Sequence, residues 1–145
     1  MQLSTHTDYA LRTLIHLALQ QAQAPVTVQE VARDYGISAN HVAKVAQTLS
    51  QLGYVKSQRG RGGGLVLARA PTAINVGTLV RETENLKLLE CFGPNSSCPI
   101  DPACELKNVL FKAQQAFLAV LDGYCLADLL ENKPAVAELL FKGPG

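Results

Sequence analysis

No run of about 18 or more apolar residues occurs in this 145-residue chain, so no segment is long enough to cross a membrane as a helix. The N-terminus lacks the basic-then-apolar layout of a signal peptide. A cytoplasmic location is therefore expected, where thiols stay reduced. The four cysteines include no Cys-x-x-Cys pair, which excludes a dithiol redox enzyme. The one glycine-rich stretch does not end in Gly-Lys-Ser/Thr and no helix follows it directly, which makes a nucleotide-binding phosphate loop a weak match. No paired carboxylates stand beside a nucleophile motif, and no cofactor fingerprint appears, so an enzyme is not expected. Internal repeats, low-complexity tracts and flexible linkers are also absent. With 48% hydrophobic residues, one ordinary domain over 1–145 follows.

One further absence points somewhere. The net charge is only +1, yet no acidic residue lies between Asp34 and Glu82. That stretch carries Lys44, Lys56, Arg59, Arg61, Arg69 and Arg81. From Glu82 onward nine acids face five bases. One end of the protein is cationic and the other anionic, as expected where only one end meets phosphate.

Within the cationic part, Leu11, Leu14, Ile15, Ala18 and Leu19 recur at helical spacing and predict a helix over about Thr7 to Gln20. Pro25 interrupts the chain. Thr27, with Glu30 three places later, reads as a capping box opening a helix to Tyr35. Gly36 supplies a turn, and Ser38 can cap a third helix from Ala39 to about Leu52, ended by Gly53. Two β-like runs, Tyr54–Ser57 and Leu65–Leu67, flank Arg59-Gly60-Arg61-Gly62-Gly63-Gly64. A helix-turn-helix followed by a hairpin with a basic tip is a winged helix. Residues 1–72 are thus expected to bind double-stranded DNA. Ser38, Asn40, His41 and Lys44 lie at the front of the third helix. Asn40 suits adenine, and Lys44 suits guanine or phosphate. His41 reads equally as a surface residue without a contact. Arg59 and Arg61 suit a minor groove.

Residues 73–104 begin with a helix over about Val76 to Thr83, capped by Asn75. A turn-rich stretch then carries Cys91, Cys98 and Cys104. Three soft thiolates on one loop suit a soft metal or an iron–sulfur cluster and leave one position for a different ligand. Structural zinc is the alternative, but it favours closely paired cysteines, and the gaps here are six and five residues. Asp101-Pro102 reads as a helix start, with Asp101 the N-cap and Cys104 in the first turn, where a thiolate is stabilised. Cys125, among Tyr124, Leu126 and Leu129, reads as a buried, inert thiol. Residues 105–145 complete the chain. A helix from about Pro102 to Tyr124, striped by Leu106, Leu110, Ala113, Phe117, Val120 or Leu121 and Tyr124, would extend ~30 Å. That is long for so small a domain, and a second copy of itself is its simplest partner. Short helices at Leu126–Leu130 and Pro134–Phe141 close the chain. Two reading heads on one dimer imply a pseudo-palindromic operator.

The motifs Thr7-Asp8-Tyr9-Ala10-Leu11-Arg12, Arg59-Gly60-Arg61-Gly62-Gly63-Gly64, the three cysteines and Leu126-Ala127-Asp128-Leu129 together resemble the family of small winged-helix iron–sulfur regulators that includes IscR and RirA. The resemblance runs from Met1 to about Phe141. It implies a mainly α fold: a winged helix-turn-helix with a two-stranded wing and a long dimerisation helix. It also implies a transcriptional repressor acting as a homodimer. Where the IscR type has a histidine three places after the last cysteine, Lys107 stands here; where that type has a recognition-helix glutamate, Ala43 stands here. Both departures point to the NsrR-like branch. That branch implies a 4Fe–4S cluster, with 2Fe–2S the alternative, held by Cys91, Cys98 and Cys104 of one chain and Asp8 of the partner subunit. It implies nitric oxide as the signal, with cluster nitrosylation releasing DNA. Iron or redox state is the alternative signal. The first cysteine gap is slightly longer than in many relatives, which bears on the path of the loop.

Overall fold

The computed structural model describes residues 1–20 and 25–142. Six α-helices and one hairpin form it: α1 (Thr5–Leu19), α2 (Val28–Tyr35), α3 (Ala39–Gln51), β1 (Val55–Gln58), β2 (Gly64–Leu67), α4 (Val76–Thr83), α5 (Glu105–Asp122) and α6 (Lys133–Phe141). Short 3₁₀ turns lie at Pro71–Ala73, Glu90–Phe92, Asp101–Ala103 and Leu126–Leu130.

Side chains satisfy free amides at the starts of α2, α3 and α4, as the sequence predicts. Thr27 and Glu30 form a reciprocal capping box at α2. Ser38 accepts from the His41 amide at α3, and Asn75 from the Thr78 amide at α4. The first helix starts two residues earlier than expected, because Ser4 caps it by accepting from the Thr7 amide. Gly36 ends α2 with φ 67°, a left-handed pose that suits glycine.

Ala10, Leu14, Leu17, Val31, Val42, Val45, Leu49, Tyr54 and Leu79 are buried in one core enclosed by α1, α2, α3, the hairpin and α4. The hairpin is antiparallel, with Val55 opposite Leu67 and Gln58 opposite Gly64. Val26 adds a third edge that the sequence does not announce: its amide and carbonyl both pair with Leu65, at 3.0 and 2.7 Å. A Cβ on Gly64 would lie 2.7 Å from the Val26 carbonyl oxygen, so a glycine is needed for that approach.

A smaller cluster, Val76, Val80 and Leu118, joins α4 to α5. Arg81 grips Asp122 through both carboxylate oxygens. A Cβ at Gly77 would overlap the same carboxylate.

Three expectations need correction. The long helix begins at Glu105, and its N-cap is Cys104 rather than Asp101. Asp101-Pro102 starts a separate 3₁₀ turn, and the Asp101 carboxylate is taken by Lys107 at 2.7 Å instead of capping backbone amides. Cys125 is half-buried and has a structural task. It caps the Leu126–Leu130 turn, its backbone amide donating to Asp128 at 2.8 Å.

Candidate DNA interface and cysteine loop

Ser38, Asn40 and Lys44 are exposed at the front of α3, and Arg59 and Arg61 are exposed at the hairpin tip. The tip turns through Gly60 and Gly62, at φ 103° and 77°. An open groove of about 420 Å³ separates α3 from the hairpin. Gln29, Asn40, Ala43, Ser57 and Gln58 line it. Gln29 and Gln58 carry amide groups suited to base edges, and sequence reasoning passes over them because they converge only in three dimensions. His41 is half-buried and turned inward. Tyr9 of α1 meets it edge-on at 4.7 Å between ring centroids, and His6 stacks at 6.4 Å. It couples α1 to α3 rather than standing free at the front.

Asp8 lies on the first turn of α1, about half exposed. Arg12 holds it in two-point contact, at 3.0 and 2.9 Å. The same guanidinium sits 5.5 Å from the Tyr9 ring and 5.7 Å from that of Tyr35. Tyr35 donates its hydroxyl to the Arg12 carbonyl at 2.9 Å, and burial pushes its pKa up to about 12. The start of α1 is also tied to the end of α4. The Ser4 amide and hydroxyl donate to Glu84 at 2.8 and 3.0 Å, and Thr83 donates to Thr7 at 3.1 Å. Burial pushes the Glu84 carboxyl up, but the hydrogen bonds from Thr7, Ser4 and Asn85 prevail and hold it below its ordinary value.

The cysteine segment leaves α4 directly after Glu84. From Arg81 to Phe117 no residue is buried. Cys91, Cys98 and Cys104 are free thiols, each half-buried. Cys104 Sγ accepts from the Lys107 amide at 3.4 Å, and the Cys98 amide donates to Ser96 at 3.3 Å. Phe92 packs towards Phe111 of α5, and Gln114 donates to the Leu86 carbonyl. Among the described residues, no three His, Cys, Asp or Glu side chains converge on a point where a metal ion could sit. The donor set still fits a soft inorganic cluster. Three unpaired thiols share one short segment that has no core of its own, and bonds to such a group would order it.

A winged helix-turn-helix head, followed by a cysteine-bearing loop and a long exposed helix, defines a class: DNA-binding transcriptional regulators. Residues 3–132 match the Rrf2 family, described as an "Iron-dependent Transcriptional regulator", and the chain belongs to that family. The regulator NsrR of Bacillus subtilis is 47% identical over 142 residues, covering 97% of each chain. NsrR of Halalkalibacterium halodurans is 46% identical with the same coverage. Among solved structures, T. potens IscR superposes with TM-score 0.72 at 30% identity, over 91% of this chain and 88% of its own. CymR, the global cysteine regulator of B. subtilis, gives 0.71 at 26%, over 89% and 95%. These relatives are transcriptional regulators rather than enzymes, and this chain is a DNA-binding regulator of the same kind. No described helix is long and apolar enough to cross a membrane.

Proposed function

We propose that this chain is a homodimeric repressor that senses nitric oxide through an iron–sulfur cluster, held by Cys91, Cys98 and Cys104 together with Asp8 of the partner subunit. A 4Fe–4S cluster is the preferred type. When bound, it supplies an iron centre with one labile oxygen ligand, open to a diatomic molecule.

One observation carries the reading: a continuous line of contacts runs from the root of the cysteine loop to the DNA-reading helix. Glu84 and Thr83 hold Ser4 and Thr7 at the start of α1. The next turn carries Asp8 and Tyr9, and Tyr9 rests on His41 of α3. Arg12 holds Asp8 while facing Tyr9 and Tyr35. An Asp8 engaged elsewhere frees Arg12 to move against both rings. That movement shifts α1 against α3, which is the two-state element such a switch requires.

The division of labour follows the chain: residues 1–72 bind DNA, 73–104 carry the cluster loop, and 105–145 form the dimer. Ser38, Asn40 and Lys44 approach the major groove, with Asn40 on adenine and Lys44 on guanine or phosphate. Arg59 and Arg61 enter the minor groove, and His41 positions α3. The exposed apolar side chains of α5, with Leu106, Val109, Phe111 and Val120 from 51 to 63% open, pack on a second copy. Two heads then face a pseudo-palindromic operator.

The test uses anaerobically purified protein carrying iron and sulfide, and a duplex it selects from a random pool. Titration with nitric oxide is expected to lower affinity for that duplex. Unchanged affinity at saturating nitric oxide overturns the signal assigned here. The family's description as iron-dependent favours a second reading, in which iron supply is the signal. Chelation that releases DNA where nitric oxide does not would select it.

A further inference from the structure

Lys107 occupies a position that helix stability does not explain. It lies in the first turn of α5, directly after the Cys104 N-cap. Cations are disfavoured at a helix N-terminus, where the backbone already carries partial positive charge. Its ion pair with Asp101, at 2.7 Å, is partly exposed and would add little to stability by itself. What the pair does is fix the direction of a flexible side chain. Asp101 and Lys107 share one rim with Cys104 around an open hollow of about 440 Å³. The Lys107 amide donates to the Cys104 sulfur at 3.4 Å. Cys104 thus shares one hollow with a tethered cation.

We propose that Lys107, held in place by Asp101, is the charge-balancing residue of the cysteine site, raising the reduction potential of the cluster bound by Cys91, Cys98 and Cys104. This rests on the cluster reading above. Three thiolates and a carboxylate leave a bound cluster with excess negative charge, and an added electron makes it more negative still. A fixed ammonium favours that electron, and net charge and hydrogen bonding near the sulfurs are the levers that set such potentials. Lys107 is a positioning residue: it acts through the sulfurs and touches no reacting molecule.

The experiment is a spectroelectrochemical titration of anaerobic, cluster-loaded protein with dithionite as the electron donor, alongside iron and acid-labile sulfide assays. Lys107→Gln is expected to lower the midpoint. At the wild-type midpoint, the oxidised-to-reduced ratio should rise roughly tenfold, which is ~59 mV for a one-electron couple. Lys107→Arg restores the wild-type value, and Lys142→Gln on α6 leaves it unchanged. Asp101→Asn, which removes the counter-charge, shifts the midpoint the opposite way. A wild-type midpoint in Lys107→Gln overturns the proposal. So do shifts of Lys107→Gln and Asp101→Asn in the same direction, because they mark damage to the helix start rather than a change of charge. Wild-type protein devoid of iron and sulfide overturns the cluster reading itself, and this proposal with it.

Discussion

Residues 5–80 and residues 81–142 are both rich in apolar side chains, but they dispose of them in opposite ways. In the first region Leu14, Val31, Val42, Val45, Leu49 and Tyr54 are at most barely exposed and enclose one another. In the second, Leu118, Leu126 and Leu140 are the buried side chains among the described residues, and Leu126 packs into the first region's core. Leu106, Val109, Phe111, Val120 and Leu139 stand more than half open to water. The first region encloses most of the core, with Leu126 of the second region completing it, whereas the second leaves most of its apolar side chains open. That division suits the function proposed above: a packed reading head joined to a segment that the proposed cluster would order.

The contrast can be broken most directly in the core. Leu49→Ala, at a fully buried position, should cost about 2–5 kcal/mol in urea unfolding, whereas Val109→Ala should leave monomer stability within about 0.5 kcal/mol. The latter should instead raise the concentration at which sedimentation detects dimer. Equal losses at the two sites would abolish the distinction. Cys98→Ser should remove nearly all bound iron and sulfide from anaerobic preparations while leaving the far-ultraviolet circular dichroism unchanged. Collapse of helicity would mean that the loop supports the head. Arg61→Ala should weaken operator binding several-fold and reduce the slope of log affinity against log salt by about 1, without altering iron content.

Smaller effects probe the joints. Thr27→Ala removes half of the capping box on α2 and should cost ~1 kcal/mol. Glu84 ties the two regions together. Its folded-state pKa is depressed, so its contribution is present above the ordinary glutamate range and is lost as pH falls through the folded value. Glu84→Gln should therefore lower the neutral plateau of a stability–pH curve, leave its strongly acid end little changed, and so flatten the acid limb below about pH 4.3. An unchanged acid limb would show that the tie carries no stability.

The same contrast governs what could be read from sequence. Helices α2, α3 and α4 are legible because their caps are local: Thr27 with Glu30, Ser38 and Asn75 each act within three residues of themselves. The wing is legible from glycine and arginine alternation between two β-like runs. The start of α5 misleads because Asp101-Pro102 has the chemistry of a helix start, while Lys107 draws the Asp101 carboxylate away from the backbone. The Val26–Leu65 pairing and the inward turn of His41 depend on residues far apart in the chain, which no local pattern contains. The cysteines suggest a soft-metal chemistry by type and number. This chain's own packing does not bring them to one point, because nothing from Arg81 to Phe117 is buried enough to impose it.

Gly77 governs how closely α5 can approach α4. Because the Asp122 carboxylate fills the space where a side chain would be, α5 lies as close to α4 as backbone allows. In the proposed dimer that closeness fixes the arm on which each reading head is carried. A methyl group there would press α5 away from α4, and in that dimer it should alter the distance between the two heads and with it the preferred half-site spacing.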